Sequence, residues 1–271
     1  MSMLVFRVMN WQIPRADMPQ YMLIGGWVLS MIALPIGLWT IGDAAQAYGT
    51  TASVILLVSA TSSVMAKAWG WRRAVRAAIM VALLGWAIEF VGSKTGFPFG
   101  SYNYTAALQP QAFGVPLLIP LAWLMMMPPA WAVAQCIVYG KGEPTIHPYK
   151  RVLFLLMTAL AFTAWDLFLD PQMVNWGFWV WHDPGTMNYF GIPFVNFIGW
   201  MLAAVLMTLA VNPPRFARTH LSLLLAIYGI TIFLQTVGVG IFWGMPGAAV
   251  CGCLAMSACL LAALRSYRAK L

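Results

Sequence analysis

Three of the seven acidic residues stand where an acid is costly. Glu89, Asp166 and Asp170 are flanked by long apolar stretches. A charged side chain in mid-membrane costs about 2.5–3.5 kcal/mol on insertion scales, so an acid kept in such a stretch is a functional candidate. Asp166 and Asp170 are four residues apart, which on a helix puts both on one face about 5–6 Å apart. A carboxyl group held protonated in a dry site can act as a general acid, with a neighbouring carboxylate as its base. Aromatic residues crowd the same regions: Tyr102, Tyr104, Trp123, Trp165, Trp176, Trp179, Trp181 and Trp200. Aromatic faces stabilise a desolvated cation by about 2 kcal/mol. Acids and aromatics together suit carbocation chemistry started by protonating an alkene, and they also suit a proton-coupled carrier. The alternative is structural: acids that cap loop amides or pair with a base. It is strongest for Asp170, which adjoins Pro171 and has Lys94 within reach as a partner.

Composition determines the elements that must carry these residues. Of 271 residues, 62% are apolar and only 8% are charged. A soluble domain carries roughly 25% charged residues, so a water-facing globule is excluded. The 14% aromatic content excludes disorder. The apolar runs are continuous rather than alternating, which favours helices over a barrel. Eight spans are predicted, at about 21–41, 51–68, 74–92, 114–139, 151–170, 192–211, 220–242 and 246–264. Each is long enough for a bilayer core of about 30 Å. The fold class is thus an all-α integral membrane protein, read as one polytopic domain over residues 1–271.

Charge alternates between the loops. Arg7, Arg15, Lys67, Arg72, Arg73, Arg76, Lys141, Lys150, Arg151, Arg215, Arg218, Arg265, Arg268 and Lys270 fall on one side, and Lys94 alone on the other. The positive-inside rule then places both termini in the cytoplasm, in an inner or plasma membrane. Arg15 and Asp17 directly precede the first span, so no cleavable signal is expected there. The net charge of +8 belongs to these loops, and no basic module points to nucleic acid. Cys136, Cys251, Cys253 and Cys259 lie in apolar stretches and read as small buried hydrophobes. Neither they nor His147, His182 and His220 have metal-type spacing, so no metal is expected. Asp43 and Asp183 read as solvated loop residues, and Glu143 sits beside Lys141 with no evident role. The long outer loops, about 93–113 and 171–191, are rich in Gly, Pro, Tyr and Trp, as binding loops or interfacial belts are.

Two stretches align without a gap at an offset of 77 residues. Phe113-Gly114-Val115-Pro116 matches Phe190-Gly191-Ile192-Pro193, Gly100 matches Gly177, and Trp123 matches Trp200. Tyr102 and Tyr104 match Trp179 and Trp181, Arg73 matches Lys150, and Glu89 matches Asp166. The repeated unit, about 73–139 and 150–211, is a helix, an outer loop and a second helix. Both copies cross the membrane in the same direction, so an axis along the membrane normal would relate them. Glu89 and Asp166 would then approach one cavity from opposite sides.

The stretch Glu89-Phe90-Val91-Gly92-Ser93-Lys94-Thr95-Gly96-Phe97-Pro98-Phe99-Gly100-Ser101-Tyr102-Asn103-Tyr104 resembles the carotenoid biosynthesis membrane-protein family of CruF-type carotenoid 1,2-hydratases. So do Gly114-Val115-Pro116, Ile119-Pro120-Leu121-Ala122-Trp123 and the pair Met125-Met126. Trp165-Asp166-Leu167-Phe168-Leu169-Asp170-Pro171-Gln172-Met173 is the most specific piece, and Tyr189-Phe190-Gly191-Ile192-Pro193 with Asn196-Phe197 and Gly199-Trp200 completes it. The resemblance covers roughly residues 85–200. It implies addition of water to the terminal double bond of an acyclic carotenoid end, giving a tertiary alcohol without a cofactor. Lycopene or a monocyclic carotenoid with one open end is the implied substrate. Membrane lipids and other pathway enzymes are the implied neighbours. On this reading Glu89 or Asp166, with Asp170 beside them, donates the proton, and the other carboxylate activates a water. Tyr102, Tyr104, Trp123, Trp181 and Trp200 face the substrate, and Asn175 and Asn196 hold the water. An end-group cyclase, a proton-coupled transporter and a pathway scaffold are the competing readings.

Overall fold

The computed structural model describes residues 17–140 and 147–268. Arg7, Arg15, Lys141, Glu143 and Lys270 lie outside the described residues, as does the Arg268 side chain. Within them eight helices are long and apolar enough to cross a membrane. These are α1 (Met18–Ile41), α2 (Ala44–Trp69), α3 (Trp71–Thr95), α4 (Leu118–Tyr139), α5 (Pro148–Asn175), α6 (Phe194–Val211), α7 (Arg218–Val237) and α8 (Pro246–Arg268). A π-helical turn, Gly238–Phe242, extends α7. The chain is therefore an all-α multi-pass membrane protein.

The helices that carry the acids run past the predicted limits. α3 extends to Thr95, and α5 extends through Asp170 and Pro171 to Asn175. A proline inside a helix leaves the carbonyl four residues earlier without its donor. For Pro171 that carbonyl is Leu167, and the Tyr189 hydroxyl donates to it at 3.0 Å. A side chain from a distant loop thus satisfies the acceptor the proline orphans, and the helix continues. α4 starts later than predicted, at Leu118, because the residues before it form a hairpin. α4 is apolar all round, as a central helix must be. Every residue from Trp123 to Cys136 is buried. α2 and α3 turn on one residue, Gly70, whose φ of 82° a side-chain-bearing residue adopts only with strain.

Six short strands shape the two long loops: β1 (Tyr102–Tyr104), β2 (Gln111–Ala112), β3 (Val115–Pro116), β4 (Trp179–Trp181), β5 (Asn188–Tyr189) and β6 (Ile192–Pro193). β2 pairs with β3 around Phe113-Gly114, and β5 with β6 around Phe190-Gly191. Two-residue hairpins of this kind use positive φ at both turn positions. Here φ is 55° and 88° in the first turn, and 50° and 84° in the second. The two hairpins coincide at the offset of 77 residues.

β1 pairs antiparallel with β4, with Tyr102 opposite Trp181, Asn103 opposite Val180, and Tyr104 opposite Trp179. The central pair, Asn103 and Val180, are each other's counterparts in the alignment. An antiparallel ribbon centred on matched residues has a local two-fold axis through that pair. Deeper in the bundle two further matched pairs meet. The rings of Trp123 and Trp200 stack at 4.5 Å with 22° between planes. Trp131 donates its indole N–H to the Thr208 hydroxyl at 3.0 Å. The ribbon, the stack and the hydrogen bond each join residues 77 apart in the chain, so α3 and α4 meet α5 and α6 through matched positions.

Candidate functional site

The carboxyl groups lie next to the β1–β4 ribbon, whose side chains donate to Glu89 and to Asp170. Glu89 is buried on α3 and receives three donors. Tyr102 donates to its Oε2 at 2.5 Å, Tyr104 to the same oxygen at 2.7 Å, and Trp123 to Oε1 at 3.0 Å. Two donors come from a loop strand and one from the next helix, so three elements converge on one carboxyl.

The second copy is built differently. Asp166 and Asp170 are both buried on α5, and both accept from the single Nδ2 of Asn196 on α6, Asp166 at 3.0 Å. Trp179 donates to Asp170 Oδ1 at 3.0 Å. Asp166 Oδ1 is buried and has no hydrogen-bond partner among the described residues. Tyr104, which holds Glu89, and Trp179, which holds Asp170, meet edge to face with ring centroids 5.8 Å apart, so the acids of the two copies are joined through their donors. Asp166 faces a polar atom with one oxygen and presents the other, and a buried acceptor left over in a native site is a candidate for reaction or for a bound water.

Glu89, Asp166, Asp170, Tyr102, Tyr104, Trp123, Asn196 and Trp200 are thus linked through hydrogen bonds and ring contacts. Trp181 packs on Tyr102, with ring centroids 4.9 Å apart. Asn175 does not join them: it ends α5 with its side chain exposed, because α5 runs on and turns that position outward. The expected pairing of Asp170 with Lys94 is also absent, since Asp170 is held by Trp179 and Asn196 while Lys94 is exposed. Trp179 is the site residue the sequence argument passed over as a ligand of an acid. Its signal was the repeat, since it occupies the place of Tyr102.

Trp179 and Trp165 also line a cavity of about 510 Å³ enclosed by α1, α2, α4, α5 and α7. Its lining is overwhelmingly apolar, with Met31, Leu57, Ile119, Met126 and Leu169 among the walls. The rim residues Ile32, Ile36 and Phe233 are exposed on the outer surfaces of α1 and α7, so the cavity opens between these helices towards lipid. An elongated apolar molecule entering there meets the indole that holds Asp170.

The tyrosines add a pH signature. Burial, and next the Glu89 charge, raise both phenols above their ordinary value near 10. The folded value exceeds the unfolded one, so this stabilisation is complete below about pH 10 and is lost as pH rises further. Thermal unfolding in detergent should therefore hold level to about pH 9 and weaken above about pH 10. A Tyr102→Phe, Tyr104→Phe double variant should show a shallower alkaline decline. A decline of undiminished steepness would remove these phenols from the account.

A carotenoid biosynthesis protein family model matches residues 49–259, which include every residue of the cluster. The chain belongs to this family. A relative, bisanhydrobacterioruberin hydratase of Haloarcula japonica, is 32% identical over 133 residues, 49% of this chain. The matched region spans 42% of that relative's length. No solved structure matches this chain.

Proposed function

We propose that this protein hydrates the terminal double bond of an acyclic carotenoid end group. The observation that carries the proposal is the unpartnered Asp166 Oδ1 in a buried three-carboxyl cluster, walled off from an apolar cavity by Trp179. The hydratase name of the relative supports it. The polyene lies in the cavity with its open end against Trp179, and the indole swings aside to bring that end to the cluster. Two aspartates that share one amide nitrogen are best accommodated with a proton between them. Asp166 delivers that proton to C2 of the end group, and the π electrons form the new C–H bond. The positive charge left on tertiary C1 is stabilised by aromatic faces. Water adds to C1 through an oxygen lone pair, and its surplus proton passes to a carboxylate of the cluster. One water is consumed, no electron is transferred, and the carboxyl groups end as they began.

Membranes containing the protein, incubated with lycopene and with a monocyclic carotenoid bearing one open end, test this. Chromatography with mass spectrometry should find a product heavier by one water. A product of unchanged mass would replace hydration by cyclisation. Both termini are placed in the cytoplasm on this reading, which puts the cluster in the outer half of the membrane. Cysteine labelling in the 96–117 loop from outside intact cells tests that placement.

A further inference from the structure

The cavity beside the cluster has a polar end that hydration does not use. Ser53 and Thr231 line it but are satisfied, by Ser30 and by the Ile227 carbonyl. Gln172 Oε1 and Thr50 Oγ1 also belong to lining residues, and both atoms are buried without a hydrogen-bond partner among the described residues. Gln172 is 4% exposed. Both stand at the loop end of the bundle: Gln172 is three residues before the end of α5, and Thr50 is in the second turn of α2. Gln235, two residues before the end of α7, lines the cavity at the same level. The rest of the lining is apolar. An amide oxygen buried without a donor is unfavourable, and an apolar ligand alone would leave it so.

We propose that this end of the cavity is a subsite for a hydroxyl group on the end of the bound polyene, with the hydroxyl donating to Gln172 Oε1 and Thr50 completing the contact. The proposal rests on the hydration reading in taking a polyene as the occupant. It adds that the protein recognises an alcohol at the same depth as Asp170. Such a hydroxyl either arrives with the substrate or is the one the reaction makes.

Three polyenes of equal length separate these cases: a hydrocarbon, an alcohol that keeps its terminal double bond, and the fully hydrated alcohol. Binding to the purified protein in lipid nanodiscs is read by quenching of tryptophan fluorescence, since Trp27, Trp165, Trp176 and Trp179 line the cavity. At least one alcohol should bind roughly three- to tenfold more tightly than the hydrocarbon, the range of one buried hydrogen bond. Gln172→Leu should abolish that preference while leaving hydrocarbon binding in place, which also shows that the variant is folded. Thr50→Val should weaken the preference and serves if Gln172→Leu does not fold. Preference for the unsaturated alcohol assigns the hydroxyl to the substrate, and preference for the hydrated alcohol alone assigns it to the product. Equal binding of all three to the wild type, or a preference that survives both substitutions, overturns the proposal. If equal binding accompanies normal hydration, the hydration reading stands without the subsite. If no polyene binds, the cavity is not the substrate site and both fall.

Discussion

An Asp166→Asn variant should lose hydration by roughly 10²–10⁴-fold, the usual contribution of a positioned general acid. Asparagine keeps the shape of the side chain and leaves the α5–α6 contact in place, so helix content and membrane insertion should be unchanged. Product per folded molecule, measured by mass spectrometry, is the readout. Asp170→Asn should fall in the same range, because the two side chains share Asn196 and act as one unit. The structural alternative makes the opposite forecast: normal turnover per folded molecule and a lower unfolding temperature. Wild-type turnover in Asp166→Asn would remove the cluster from the chemistry.

Trp123 should show the largest effect on stability. Its ring stacks on Trp200 at 4.5 Å and on Phe162 at 5.0 Å, and its N–H holds Glu89. Truncating a buried tryptophan to alanine costs about 3–5 kcal/mol in soluble cores. Trp123→Ala should therefore lower the unfolding midpoint in detergent sharply. Trp123→Phe retains most of the stack but removes the donor to Glu89 Oε1. It should keep most of the stability and lose turnover, because a group presented to a carboxyl is missing. If both variants melted like the wild type, the stack would not hold the two copies together. If Trp123→Phe turned over normally, Glu89 would not need that donor.

Much of the site is legible in the sequence because each sign is local or periodic. Apolar runs mark spans, and acids inside them stand out. The offset of 77 residues pairs Glu89 with Asp166 and Tyr102 with Trp179. The two hairpins fall at that same offset, in stretches the sequence reads only as outer loops and helix starts. The misreadings involve partners distant in the chain. Pro171 reads as a helix end until the Tyr189 hydroxyl, eighteen residues later, supplies the missing donor. Lys94 reads as a partner for Asp170 because both stand near one membrane face, yet a nearby indole and an amide take that place.

The amino-acid order by itself determined that this is a multi-pass membrane protein, with eight apolar helices among the described residues and three acids within them. Those properties follow from the hydrophobicity and spacing of neighbouring residues. Only the tertiary structure decided how the acids are held, and it treats the two copies unequally. The first copy offers one carboxyl bound by two phenols and an indole. The second offers two carboxyls bound by one amide and an indole, with an oxygen of Asp166 left over. A buried polar group must find its partner within about 3 Å. Which side chain comes that close depends on how helices far apart in sequence pack, and the order of residues along a single helix does not encode it.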